Sequence, residues 1–175
     1  GTYPLPEAQV DRFMMKILVD YPTDEEEFVI VQRVTGPAVT VNAVATTDQL
    51  AALQRACRSV YVDPSLIQFA VRLVSATRTP EKHDLKELTR FITYGASPRA
   101  SINLTEGSRA LAMLRGRSYV LPEDMADLVP DVLRHRLVLS YEALSEGLSA
   151  DAIIAKITAK IPAPAKPLEH EKLAA

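Results

Sequence analysis

Two arginines in this sequence stand where a guanidinium could meet a phosphate, and for one of them stability alone does not account for the position. In GASPRAS, residues 95–101, Ser97 reads as a helix N-cap and Pro98 as the first helical residue. Arg99 then falls in the first turn, where the backbone already presents about half a positive charge. A cation there costs on the order of 0.3–1 kcal/mol unless an anion compensates, whereas a helix N-terminus plus a guanidinium suits phosphate oxygens. Ser97, Pro98 and Arg99 are therefore candidates for contacting a bound phosphate group. An exposed Arg99, or one paired with Glu106 or Glu87, fits the same spacing. Arg12, in PEAQVDRFMMKI, lies near the end of a short helix and just ahead of an apolar β-type run. From there it can project from a subunit edge toward a neighbour's phosphate, as trans-acting arginine fingers do. A solvated charge pair with the adjacent Asp11 is the alternative.

Other constellations fail on inspection. His83, His135 and His170 are far apart, and none lies in a metal-ligand pattern, so no metal site is expected. His135, in RHRL, reads as a helix-face or C-terminal-turn residue. Asp24 to Glu27 crowd one helix start and are more natural dipole partners than a general acid/base pair. Arg115, Arg117, Arg134 and Arg136 could form a basic face, read as solvated or subunit-contacting, because no aromatic interleaving points to nucleic acid. With 20 basic and 22 acidic residues the formal net charge is -2, so no overall excess draws the chain to nucleic acid or an anionic membrane. The single Cys57 sits in an Ala/Leu-rich helical pattern and reads as a packing residue in a reducing compartment. No run approaches the roughly 18–20 apolar residues of a membrane span and no signal peptide opens the chain, which predicts a cytoplasmic protein.

The elements that must position these residues are mostly helical. Pro6 and Glu7 open a helix predicted to continue to Met15, and Ile17–Val19 suit a buried strand whose sheet partners would lie in a missing N-terminal portion. Thr23 before DEEEF is a capping box, predicting a helix over 24–34 that Gly36 and Pro37 stop. Thr47 caps a helix with Leu50, Leu53, Cys57 and Val60 at helical spacing. Asp63 caps another, with Pro64 first and Leu66, Ala70, Leu73 and Val74 along one face. Residues 79–95 stay open between helix and surface connection. Helices follow from Ser97 to about Arg115, with Gly116 near the end, and from Pro122, where Pro130 predicts a kink or a break into two pieces. Ser149 caps a last helix, and the Pro/Ala-rich end reads as a flexible or docking tail. The expected organisation is a core remnant over 1–22, a helical domain over 23–161 and a tail over 162–175.

GTYPLPEAQVDRF followed by KILVDYP resembles the end of the AAA+ core of MoxR-family ATPases, and YGASPRASINL resembles that family's second sensor motif. ATR at 76–78, LRGRSYVLPEDM at 114–125 and LRHRLVLSYEA at 133–143 follow the family pattern in the same order. The resemblance spans Gly1 to about Pro162. It implies a mainly α fold, a helical lid bundle preceded by a short helix-strand remnant of the α/β core. It also implies that Arg12 is an arginine finger acting on an adjacent subunit and that Arg99 is a sensor arginine reaching the γ-phosphate. The intact protein would use ATP and Mg, form a hexameric ring, and remodel or mature protein complexes in chaperone-like fashion. A von Willebrand factor A-domain protein is the implied partner, alongside client complexes. None of the six glycines opens a GKS or GKT phosphate loop, and no apolar strand ends in the Asp-Glu pair that would hold magnesium. The chain alone is thus expected to bind no nucleotide tightly and to be inactive. The competing expectation is a stand-alone helical interaction module with no nucleotide role.

Overall fold

The computed structural model describes Tyr3 and residues 5–165, and these are mostly helical. Residues 17–55 form one compact unit and the remaining described residues another. The larger unit opens with α1 (Glu7–Val10), a single turn rather than the longer helix predicted to Met15. After it the amides tighten to three-residue bonds, Arg12 N–H to the Gln9 carbonyl at 3.1 Å and Phe13 N–H to that of Val10 at 3.1 Å. The carbonyls of Asp11, Phe13 and Met14, which a longer helix would use internally, accept instead from the Arg136 guanidinium.

The smaller unit holds α2 (Asp24–Thr35) and most of α3 (Thr47–Ser59). The capping box at Thr23 forms as its sequence dictates: Glu26 N–H donates to the Thr23 hydroxyl at 3.3 Å, and Thr23 N–H to the Glu26 carboxylate at 2.9 Å. At α3 the cap is Thr46 rather than Thr47. The reciprocal pair needs Glu or Gln three residues on, and Gln49 stands three from Thr46; its bonds are 2.8 and 3.2 Å. No residue of α2 is buried, Leu50 and Leu53 are exposed, and Cys57 is a half-buried free thiol rather than a core residue. Ile17, Leu18 and Val19 are exposed and form no strand, since no strand among the described residues pairs with them.

The core belongs to the larger unit. It is built from α4 (Pro64–Arg78), α5 (Pro98–Leu114), α6 (Pro122–Leu133) and α8 (Ala150–Lys160), with the short α7 (Tyr141–Ser145) beside them. Leu66, Ala70, Leu73 and Val74, the stripe predicted on α4, are wholly buried. Leu104 of α5, Met125, Val129 and Leu133 of α6, and Ile153 and Ile157 of α8 are equally inaccessible. At about 1.5–3 kcal/mol for each fully buried aliphatic side chain, this cluster is the main source of stability. Pro130 does not break α6, which runs as one helix; Ala126 and Pro130 lie on its half-exposed flank, and the Arg134 N–H resumes the ladder at the Pro130 carbonyl, 2.9 Å away.

The open segment 79–95 resolves into two 3-10 helices, Pro80–His83 and Lys86–Phe91, followed by β1 (Ile92–Tyr94). β1 pairs antiparallel with β2 (Val138–Leu139), Ile92 opposite Leu139 and Tyr94 opposite Val138, a small sheet that the sequence reading did not anticipate.

The basic face is absent as such, because each of its arginines is matched to carboxylates. Arg115 and Arg117 both hold the buried Asp124, at 2.8 and 2.5 Å, and Arg115 also holds Asp127. Arg134 pairs with Asp131 and Asp151, and Arg136 with Asp11. Burial alone would raise the Asp124 pKa, but hydrogen bonds from Arg117, the Leu121 N–H and Arg115 outweigh it and hold the carboxyl below its ordinary value. The stabilisation is complete above the unfolded carboxylate's pKa of about 3.9 and is lost as pH falls through the lower folded value. Asp124→Asn should therefore flatten the acid limb of a plot of melting temperature against pH. Equal slopes in the variant and the parent would count against this account.

Candidate functional site

The last turn of α4 builds the entry to α5. The Thr77 hydroxyl accepts the Ala96 N–H at 2.9 Å, and Arg78 donates to the Ala96 carbonyl at 2.6 Å. Gly95 sits so close that a Cβ there would lie 2.3 Å from the Thr77 carbonyl oxygen. Gly95→Ala must shift backbone against backbone and is expected to cost about 1–3 kcal/mol, read as a lower urea midpoint with unchanged slope. A midpoint unchanged from the parent would show that this approach constrains nothing.

Beyond Gly95 and Ala96, Ser97 caps α5, its hydroxyl accepting the Arg99 N–H at 3.3 Å, and Pro98 takes the first position, as the sequence predicted. The same hydroxyl donates to both oxygens of Asp11, at 3.0 and 2.9 Å. Arg99 reaches the same carboxylate at 2.8 Å, and Arg136 at 3.1 Å. Arg99 is thus paired with neither Glu106, which holds Arg109 at 2.7 Å, nor Glu87, but with a residue 88 positions earlier. Desolvation of Asp11 would raise its pKa; hydrogen bonds from Ser97, Arg136 and Arg99 outweigh this and lower it. Asp11 therefore stays ionised at neutral pH. A cavity of about 200 Å3 opens beside it, lined among others by Glu7, Tyr94, Ser97, His135 and Arg136.

The carboxylate of Asp11 occupies the place an external anion would take at this helix start, held by a cap hydroxyl and a first-turn guanidinium. This is the arrangement that a phosphate oxygen requires, here satisfied from within the chain. Arg99 is about half exposed, with a side chain 49% accessible, so its pairing is open to competition. Arg12 points differently: its side chain is exposed and makes no hydrogen bond or ion pair among the described residues. Ser97, Pro98 and Arg99 are brought together with Asp11, whereas Arg12 stands apart from them on the adjoining turn.

The stretch that follows Arg12 is pinned by α5 and the end of α6. Asn103 donates to the Met14 carbonyl at 3.3 Å, and Gly107 leaves room for the Met14 side chain, whose end lies 3.5 Å from a Cβ built on that glycine. The Lys16 N–H donates to the Asp131 carbonyl at 2.8 Å, and Arg134 to the Lys16 carbonyl at 2.7 Å. His135 lies in the turn after α6, as its position predicted, with Nε2 3.1 Å from the Phe13 carbonyl; burial lowers its pKa and favours the neutral ring. Sequence reasoning had treated Asp11 as a solvated neighbour of Arg12 and Arg136 as part of a surface. Their alternation of charge across 125 residues carries no local signal. Among the described residues no group of three or more His, Cys, Asp or Glu is placed to hold a metal. No helix among them is long and apolar enough to cross a membrane.

Comparison with known proteins agrees with this geometry. Residues 85–157 match the family model described as the AAA lid domain. Chaperone MoxR1 of Mycobacterium tuberculosis is 42% identical over 164 residues, covering 94% of this chain and 44% of that protein. Protein MoxR of Paracoccus denitrificans is 34% identical over 178 residues, covering 94% of this chain and 52% of that protein. A solved structure from Cytophaga hutchinsonii, assigned as an ATPase, superposes with a TM-score of 0.89 at 40% identity, covering 94% of this chain and 51% of that one. The chain thus spans about half the length of the relatives it matches. With a lid-domain match inside a likeness that covers nearly all of its residues, the chain belongs to the MoxR family of AAA+ ATPases.

Proposed function

We propose that this chain is the sensing and coupling region of an AAA+ ATPase that uses ATP and Mg in its intact form. Residues 1–22 are read as the end of the ATPase core, 23–161 as the lid, and 162–175 as a tail, of which residues 166–175 lie outside the described residues. The observation that carries the reading is the anion-shaped arrangement at the start of α5, where Ser97 and Arg99 hold a carboxylate. A terminal phosphate is a more highly charged acceptor that can offer oxygens to the same donors, and Arg99 is accessible enough to exchange Asp11 for it. Bound ATP would supply the phosphoryl group. In this chain Arg99 would sense it from the lid, and Arg12, exposed and unengaged, would act on the nucleotide of the next subunit in a ring. Among the described residues no group of His, Cys, Asp or Glu is placed to hold magnesium, and no step is assigned to it.

By the same reading the intact protein is a hexameric, cytoplasmic machine that remodels or matures protein complexes, with a von Willebrand factor A-domain protein as partner. MoxR1 of M. tuberculosis carries the name chaperone, which supports the chaperone-like part of that reading. The test is steady-state ATP turnover by the intact protein with Arg12 and Arg99 replaced singly by alanine. Turnover unchanged in both variants overturns the assigned roles.

A further inference from the structure

Arg136 is a buried charge whose side chain has no solvent exposure. A guanidinium has five N–H donors, and every one is accounted for here. Nε donates to the Asp11 carboxylate at 3.1 Å. Nη1 donates to the Met14 carbonyl at 3.3 Å and to the Val132 carbonyl. Nη2 donates to the carbonyls of Asp11 at 3.1 Å and Phe13 at 2.5 Å. Four of the five bonds therefore grip residues 11–14, on both sides of Arg12 and without touching it. Burying a guanidinium is unfavourable unless all its donors are met, so the turn and the arginine specify one another. Burial works against the charge of Arg136 and the bond to Asp11 supports it, as the opposed effects on its pKa show.

We infer that Arg136 is a positioning residue for Arg12: by holding the turn 11–14 from the end of α6, it aims the Arg12 side chain outward. Three backbone carbonyls and one carboxylate hold the turn on either side of Arg12, whose own side chain is exposed. The consequence is that the lid of each subunit sets the aim of the arginine that subunit offers to its neighbour. This rests on the reading of Arg12 as a group acting on nucleotide in another subunit. Lysine keeps the charge but presents three donors from a single point, and glutamine keeps only two, so neither can reproduce a fork aimed at four acceptors.

The experiment is a double-substitution cycle on ATP turnover by the intact protein, using Arg136→Lys, Arg12→Lys and the two together. A misaimed group costs about 10²-fold in kcat with little change in substrate affinity, so Arg136→Lys should lower kcat by about that factor and leave KM for ATP within about two-fold. Because Arg136 acts only through Arg12, the double variant should turn over ATP no more slowly than the worse single variant. Multiplied losses, or a KM that rises while kcat holds, overturn the inference. Normal turnover in Arg12→Lys and in Arg12→Ala instead removes the reading of Arg12 on which the inference rests. If Arg136→Lys and the uncharged Arg136→Gln both lower the melting temperature by more than about 10 °C, Arg136 is a structural pin alone and the inference falls.

Discussion

Arg12→Ala in the intact protein is expected to lower kcat for ATP hydrolysis by about 10³–10⁵-fold, the range over which a trans-acting arginine stabilises a transferring phosphoryl group. The loss should fall on kcat, because charge spreads over the phosphoryl oxygens mainly in the transition state, and binding of ATP should change little. Stability should also hold. The Arg12 side chain is exposed and makes no hydrogen bond or ion pair among the described residues, so its removal leaves no unpaired group behind. A sharper form of the test mixes subunits. Arg12→Ala subunits keep complete nucleotide sites of their own and should regain turnover when flanked by subunits that retain Arg12 but cannot hydrolyse ATP. No recovery on mixing would place the defect within the subunit and refute action in trans.

Arg99→Ala should be the second largest loss, about 10²–10³-fold in kcat, the scale for removing one preorganised donor from a developing negative charge. Unlike Arg12, Arg99 should not be complemented by a neighbour, because its place at the start of α5 serves the nucleotide of its own subunit. Its pairing with Asp11 carries a second consequence. With the Arg99 side chain 49% exposed, the ion pair contributes at most about 1 kcal/mol and cannot hold the guanidinium against a phosphate. Asp11→Asn keeps the side chain's size, removes the competing charge and leaves only one oxygen to accept from the donors around it, so it should tighten binding of ATP in an equilibrium titration while Arg99→Ala weakens it. Weaker ATP binding in both variants would mean that Asp11 assists the nucleotide rather than competing with it.

Local chemistry was legible to the residue at several elements. Thr23 with Glu26, Asp63 with Pro64, Ser97 with Pro98, and Ser149 all cap helices as their sequence implies, because a cap involves groups at most three or four residues apart. The stripe Leu66, Ala70, Leu73, Val74 was legible for the same reason, since helical periodicity displays a face before anything covers it. The failures were those of range. Thr46 displaces Thr47 as the cap by one position because Gln49, three residues on, completes the reciprocal pair only with Thr46. Of the kink or break that Pro130 suggested, the break does not occur, since α6 runs as one helix through it. The β1–β2 pair joins segments more than forty residues apart and too short to signal themselves.

The sequence by itself determined that this protein would be helical and that Ser97 and Pro98 would start a helix carrying Arg99 in its first turn. Those statements depend on backbone propensity and on neighbours within one turn. Only the tertiary structure decided that Asp11 would be the anion at that helix start, and that Arg136 would be swallowed whole by the turn around Arg12. Both depend on a fold that closes more than eighty residues of chain, and charge attraction between residues so distant leaves no spacing to read.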